Sequence, residues 1–411
     1  MSAVVKENLL LLVHRIPFPP NKGDKIRSYH LLRHLAQNYH VHLGCFIDDH
    51  SDRQYIDTVA AMCAESHFVM LHPAKARLRS LTALFNQRPL SFDFYCDGRM
   101  HTWVSAILKK KPVQRVMVFS SVMGQYVEAL HGARRVVDFV DVDSDKWKQY
   151  AQKKWWPLSW LYHREGIQLL NYERKLTRLF DVALFVSKNE SELFKSLAPE
   201  SIDKIGYFNN GVDTDYFSPQ PALSTAAPTP YPNLGKIIVF TGAMDYWPNC
   251  DAVQWFALHI FPAVRLRYPD AQFYIVGARP AKSVLELGQI AGICVTGTVP
   301  DVRPYVAHST VAVAPLRIAR GIQNKVLEAM AMGKTIIVSP EALDGIDATP
   351  DQEVLLARDE TEFADHVCRV FSGQQADLGP TARQKMETRY NWAANLAGVN
   401  QLLEGHIDAG R

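Results

Sequence analysis

The sequence predicts an α/β chain built from two Rossmann-like domains in tandem. Short apolar, β-branched runs alternate with amphipathic segments, the βαβ rhythm of a doubly wound sheet. That rhythm occurs twice, broken once by "SPQPALSTAAPTPYPNLG", a Pro/Ala/Ser/Thr stretch with almost no charge that reads as a linker. The chain is also 411 residues long, more than the roughly 250 to 300 that one core usually holds. The expected division is residues 1–217, a linker at 218–235, a second domain at 236–385, and a helical tail at 386–411 that packs back toward the first domain.

Taken in order, "NLLLLVHRI" is a buried first strand, "PFPPNKGDKIR" a Pro/Gly loop, and "SYHLLRHLAQ" an amphipathic helix capped by Asp24 or Ser28. "HVHLGCFI", "ESHFVML", "RVMVFSS", "ARRVVDFVDV" and "DVALFVS" are five more strands with helical segments between most of them. The long stretch 144–180 is helical in pattern and rich in aromatic and basic residues. In the second half, "KIIVFTGAM", "AQFYIVGA", "GICVTGTV", "TVAVAP" and "TIIVSP" are strands, and "EVLLARDETEFADHVCRVF" adds a strand and a helix. "PNCDAVQWFALHIFPAVRLRY" reads as one helix and "DVRPYVAHS" as a short one.

Composition narrows the function classes. A net charge of +3 gives no nucleic-acid footprint and only weak attraction to an acidic membrane. Six cysteines without a C-x-x-C pair suggest neither a disulfide framework nor a thiolate zinc site. The apolar run near the start is too short for a membrane span and precedes nothing like a cleavage site. A cytoplasmic chain is expected, with peripheral membrane contact through "KKWWPLSWLYHR" (153–164), whose Trp and basic residues suit an interface.

The richest stretch is "RGIQNKVLEAMAMGKTIIVSP" (320–340). Val326, Leu327, Met330 and Ala331 recur at the spacing of a buried helix face, so strand 309–315, a loop, this helix and strand 335–339 follow in order. The helix N-terminus then opens at the carboxyl end of a parallel sheet, where open α/β folds bind ligands. Its unpaired N–H groups, with Arg317, Arg320 and Lys325 around them, suit an anion such as phosphate.

Several motifs stand together: "PPNKGDKIR", "NNGVD", "FTGAM…PN", "YIVGA", "VTGTVPDVRPY", "NKVLEAMAMGKTIIVS" and "RYNW". In order and spacing this set resembles the family 4 glycosyltransferases, retaining enzymes of the GT-B fold, in which two Rossmann-like domains face each other across a cleft. It looks most like the sugar transferases of exopolysaccharide clusters associated with exosortase-type sorting. The resemblance implies a nucleotide-diphosphate sugar as co-substrate, a glycan or lipid-linked hydroxyl acceptor, no cofactor, no metal and no nucleic-acid partner.

It also implies roles for residues. Backbone N–H groups of Gly321, Ile322 and Gln323 would bind the donor diphosphate, and Glu328 would accept from two ribose hydroxyls. Gly242 opens the second domain's first loop, and Gly277 with "TGTVP" would line the base pocket. In the first domain Gly23 would approach the leaving phosphate, while Lys22 and Arg27 would face acceptor or phosphate. Asp138, Asp141 and Asp143 are expected to alternate along a strand, with Asp141 and Asp143 touching sugar or acceptor hydroxyls.

Two departures matter. Relatives carry a second glutamate eight positions before the one at Glu328, and here that position is Arg320. The lysine usual after the second domain's first strand is also missing, because "GAMDYWPNC" offers Asp245, Trp247 and Asn249. The expectation is that positive charge has moved to Arg317, Arg320 and Lys325. Two other readings stay open: a nucleotide-sugar epimerase of the same architecture, using the aspartates near 141, and a non-catalytic nucleotide-binding partner.

Overall fold

The computed structural model describes residues 6–84, 86–152, 154–219, 229–232, 235–319 and 321–406. The chain folds as two compact units, Met1–Asn209 with Asn395–Arg411, and Asn210–Ala394. The division falls upstream of the expected linker, more than half of which lies outside the described residues.

In the first unit, β1 (Glu7–Val13), β2 (Tyr39–Ile47), β3 (Glu65–Met70), β4 (Val113–Phe119), β5 (Arg134–Val140), β6 (Val182–Phe185) and β7 (Ile205–Tyr207) form one parallel sheet in the order β3-β2-β1-β4-β5-β6-β7. Leu9 to Val13 are at most 1% exposed, which is why β1 reads as an unbroken apolar run: helices cover both faces of a parallel sheet. The six expected strands are present. The seventh, "IGY", is three residues long and carries no periodicity to read.

The second unit repeats the plan. β8 (Ile237–Thr241), β9 (Gln272–Val276), β10 (Ile293–Gly297), β11 (Val311–Ala314), β12 (Ile336–Val338) and β13 (Leu355–Leu356) run parallel in the order β10-β9-β8-β11-β12-β13. In both sheets the strand order reverses once, between β1 and β4 and between β8 and β11. A crevice opens outside the carboxyl ends of the strands at such a point, so the fold marks one candidate ligand position in each unit.

Helix boundaries differ from the expectation in two places. The helix after β1 runs Gly23–Asn38, so it starts a turn earlier than its apolar periodicity suggests, and neither Asp24 nor Ser28 caps it. Asp24 lies inside its first turn and pairs with Arg15 at 2.9 Å, while Ser28 donates to the Asp24 carbonyl. The segment 248–268 is helical but not uniform: Trp247–Trp255 passes through a π turn at Phe256–Ile260 into Phe261–Arg267. Pro262 has no N–H to give the preceding turn, which accounts for the irregularity.

The aromatic-basic stretch is a helical hairpin, Asp143–Gln152 and Leu158–Leu179. Three buried carboxylates fasten it. Glu165 accepts from the backbone N–H of Leu90 (2.6 Å) and Ser91 (3.0 Å), Glu173 from the Ser144 hydroxyl (2.6 Å), and Glu190 from the Val142 N–H (2.7 Å). The closing helix, Trp392–Glu404, belongs to the first unit from Asn395 onward. There Glu404 accepts from the Tyr39 hydroxyl at 2.5 Å and pairs with Arg115.

Candidate functional site

The crevice of the second unit is built on three backbone approaches. A Cβ on Gly277 would lie 1.6 Å from the Gly242 carbonyl oxygen, so the ends of β8 and β9 meet only because Gly277 has no side chain. Packing accounts for Gly277, and it need not touch a base. A Cβ on Gly242 would lie 2.7 Å from Asn249 Nδ2, so this glycine makes room for Asn249. Gly321 is buried with φ +62°, a left-handed conformation that favours glycine and turns the loop after β11 into the helix Asn324–Ala331.

That helix carries the two side chains of most interest. Asn249 donates through Nδ2 to the Ala243 carbonyl at 2.9 Å, which leaves its Oδ1 to accept from Lys325 Nζ at 3.0 Å. Lys325 thus reaches from the helix after β11 to the helix after β8, across the point of strand-order reversal. It also lies 5.3 Å from the Phe240 ring centroid, a cation–π distance. Burial pushes the Lys325 ammonium down to about 8, with Glu328 pulling the other way. Burial likewise pushes the Glu328 carboxyl up to about 7, with Lys325 opposing. An ammonium and a carboxylate one turn apart, both poised near neutrality, are what burial without a full counter-charge produces.

Arg317, expected to share the anionic ligand, is placed otherwise. Arg317 is bidentate to Asp251, Nε–Oδ2 3.0 Å and Nη2–Oδ1 2.5 Å, and sits over Trp255, so its charge is already matched. Arg320 lies outside the described residues. Asp245 is bound by Arg279 at 2.6 Å. The relocated charge among described residues therefore comes down to Lys325, whose partner is a neutral amide.

Ile322 is buried and Gln323 precedes the helix as its N-cap, with its Nε2 donating to the Gly321 carbonyl at 3.2 Å. Asn210, in the "NNGVD" motif, is buried and donates to Asn324 Oδ1 at 3.4 Å. Near Glu328, Tyr216 stacks on Arg303, which is itself held by Asp301 at 2.6 Å. The guanidinium of this platform lies within "VTGTVPDVRPY" and the ring shortly after "NNGVD", and neither Tyr216 nor Arg303 was singled out from the sequence. The signal for Tyr216 was an aromatic residue five beyond Gly211, which is weak.

The first unit's crevice holds a different set. Arg27, expected at an acceptor or phosphate, is fully buried instead. It donates to Asp138 through Nε (2.7 Å) and Nη2 (3.2 Å), and to the carbonyls of Phe208 (2.9 Å) and Phe185 (3.3 Å). Its ring contact with Phe208, 3.5 Å to the centroid, completes a structural role under the sheet's carboxyl edge. Lys22 precedes the helix as its half-buried N-cap, and Gly23 is the exposed first helical residue.

Asp141 and Asp143 do not alternate on a strand. β5 ends at Val140, where φ is +71° and the register slips, and Asp143 already opens the next helix. Both carboxylates nevertheless converge on Lys146, at 2.6 and 3.3 Å. Burial raises the Asp143 carboxyl against the pull of Lys146; for Lys146, burial opposes the charge but Asp141 and Asp143 outweigh it and raise its pKa. Lys146, absent from the expected set, is the residue that ties the two aspartates together. A β-branched residue with positive φ is a costly conformation, and Ser120 at the end of neighbouring β4 has φ +76°. Strain at both strand ends supports a built site here.

Comparison with known proteins follows the same lines. Residues 235–372, the greater part of the second unit, match the family model for glycosyl transferases group 1. No curated protein sequence matches the chain. Among solved structures, sucrose-phosphate synthase from Thermosynechococcus elongatus aligns with a TM-score of 0.69 at 16% identity, over 98% of this chain and 99% of that one. Anabaena Alr3699/HepE in complex with UDP-glucose aligns with a TM-score of 0.68 at 12% identity, over 97% and 99%. WaaG, a glycosyltransferase involved in lipopolysaccharide biosynthesis, aligns with a TM-score of 0.66 at 14% identity, over 97% and 100%. The chain therefore has the GT-B fold, and residues 235–372 of its second unit are similar to the glycosyl transferases group 1.

Proposed function

We propose that the chain is a retaining glycosyltransferase that moves a sugar from a nucleotide-diphosphate sugar to a hydroxyl acceptor in the synthesis of a cell-surface glycan such as an exopolysaccharide. The observation that carries this reading is Lys325, held across the second unit's crevice by Asn249, with Glu328 one turn further along the same helix. The bound UDP-glucose of the Anabaena neighbour supports a nucleotide-sugar donor.

In this reading the ammonium of Lys325 and the N–H groups at Gly321, Ile322 and Gln323 face the diphosphate. Glu328 accepts from the ribose hydroxyls, since a carboxylate can take two neighbouring O–H donors. The anomeric bond to the diphosphate breaks as the acceptor oxygen bonds on the same face, and the acceptor proton passes to the departing diphosphate. Fixed positive charge where negative charge develops lowers the barrier. No protein nucleophile is needed, and Lys325 with the helix N–H groups supplies positive charge where other enzymes use a divalent metal. Asp141 and Asp143, fixed by Lys146, contact sugar or acceptor hydroxyls.

The test is incubation with UDP-, GDP- and ADP-sugars and a panel of glycan acceptors, with the anomeric configuration of product read by NMR. Product or slowly hydrolysed sugar with the donor's configuration supports the proposal. Inverted product, an epimerised donor, or nucleotide binding without turnover would each contradict it.

A further inference from the structure

The tip of the helical hairpin is the most exposed apolar surface of the first unit. Trp155 is 91% and Trp156 82% exposed, with Trp160 and Leu158 beside them half in solvent. A single exposed apolar residue is ordinary, whereas three tryptophans within six positions are not. A second element adds to them. Helix Pro73–Ser80 and the turn after it expose Leu78 and Leu81. The hairpin is tied to this element by Arg164, one turn beyond Trp160, which donates to the carbonyls of Ala83 and Arg88.

Charge separates these two segments from the rest of the chain. Residues 72–88 and 146–164 together hold nine Lys/Arg and no Asp/Glu, in a chain whose net charge is only +3. The remainder is therefore net negative. Lys75, Arg77 and Lys154 are exposed. Tryptophan has an apolar body and one N–H, and it partitions to the headgroup level of a bilayer; basic side chains around it meet anionic phosphates. Among the described residues no helix is long and apolar enough to cross a membrane, so the association this surface allows is interfacial.

We infer that this face of the first unit docks on an anionic phospholipid surface, inserting Trp155, Trp156 and Trp160 while Lys75, Arg77 and Lys154 pair with headgroup phosphates. The inference rests on the first unit's surface alone and stands apart from the donor reading, because the binding it describes needs no turnover.

The experiment is sedimentation of the full chain with phosphatidylcholine vesicles, with and without phosphatidylglycerol. Binding is expected only with phosphatidylglycerol and should weaken steeply with salt. Trp155→Ser/Trp156→Ser/Trp160→Ser should lose at least about tenfold in partitioning while melting at the same temperature. Lys75→Glu/Arg77→Glu, which leaves the tryptophans in place, should lose about fivefold or more per charge. Leu266→Ser, at an equally exposed apolar position in the second unit, should bind as the parent does. Absence of binding to anionic vesicles at low salt would overturn the inference, as would unchanged binding by both patch variants. A concentration-dependent dimer that the tryptophan variant abolishes, without vesicle binding, would make the face a contact between copies instead.

Discussion

Arg27 and Lys325 are both cations near the carboxyl edge of a parallel sheet, and their partners separate their roles. Arg27 meets a carboxylate, two carbonyls and a ring, all buried. Removing its counter-charge should therefore act on stability: Asp138→Ala leaves a buried guanidinium unpaired and should cost about 3 to 5 kcal/mol, read by denaturant unfolding. Arg27→Met/Asp138→Leu should cost much less, since it removes both charges. Lys325 donates to an amide oxygen, and burial pushes its ammonium down to about 8. Nucleoside-diphosphate affinity should accordingly fall as pH rises through about 8, and Lys325→Met should remove that fall; calorimetry across pH 6 to 9 would show either. Below about 7, protonation of Glu328 should weaken diphosphate and monophosphate alike. Sequence spacing marks both residues as cations near helix starts. It does not reveal that Arg27 has a partner 111 positions away, and a one-dimensional pattern carries no such contact.

At the scale of elements, the strands were the most legible part of the chain, because burial on both faces writes them as continuous apolar runs. The exceptions are instructive. β7 is too short to have a period, and the start of the helix at Gly23 is set by an Asp24–Arg15 pair rather than by a side-chain cap. The aspartates beyond β5 were placed on the strand because a register slip at Val140 leaves no mark in residue type. The hairpin offers a test of its own. Burial pushes the Glu173 carboxyl up to about 8 from an ordinary 4.5, so between those values the folded chain holds a proton that the unfolded chain has lost. Its contribution to stability is present below about 4.5 and fades as pH rises to about 8. Glu173→Gln should raise the melting temperature at pH 8 relative to the parent and leave it little changed at pH 5, which scanning calorimetry would record. At the meeting of β8 and β9, Gly277→Ala should unfold the second unit's crevice or sharply lower its stability, because backbone must move to admit the Cβ.

At the scale of the whole molecule, two sheets of like strand order each place a crevice at one reversal, and the chemistry differs between them: a lysine–glutamate helix in the second unit, an aspartate pair sharing one lysine under strained strand ends in the first. The tandem arrangement was readable from rhythm and composition. The departures from the glycosyltransferase pattern were readable too, but their compensation was assigned to Arg317 as well as to Arg320, which lies outside the described residues, and Lys325; only packing tells an arginine already matched by Asp251 from a lysine held by a neutral amide. If Lys325 supplies the charge that others obtain from a metal, excess chelator should leave sugar transfer within about twofold; loss of transfer restored by magnesium or manganese would contradict this. The most direct measurement is the ratio of nucleoside-monophosphate to nucleoside-diphosphate dissociation constants in the parent, Lys325→Met and Arg317→Ala. A charge-assisted phosphate contact is worth about 1.5 to 3 kcal/mol, so the preference for diphosphate should fall roughly ten- to a hundredfold in Lys325→Met and stay unchanged in Arg317→Ala. An unchanged preference in Lys325→Met would contradict the assignment of the donor diphosphate to this lysine.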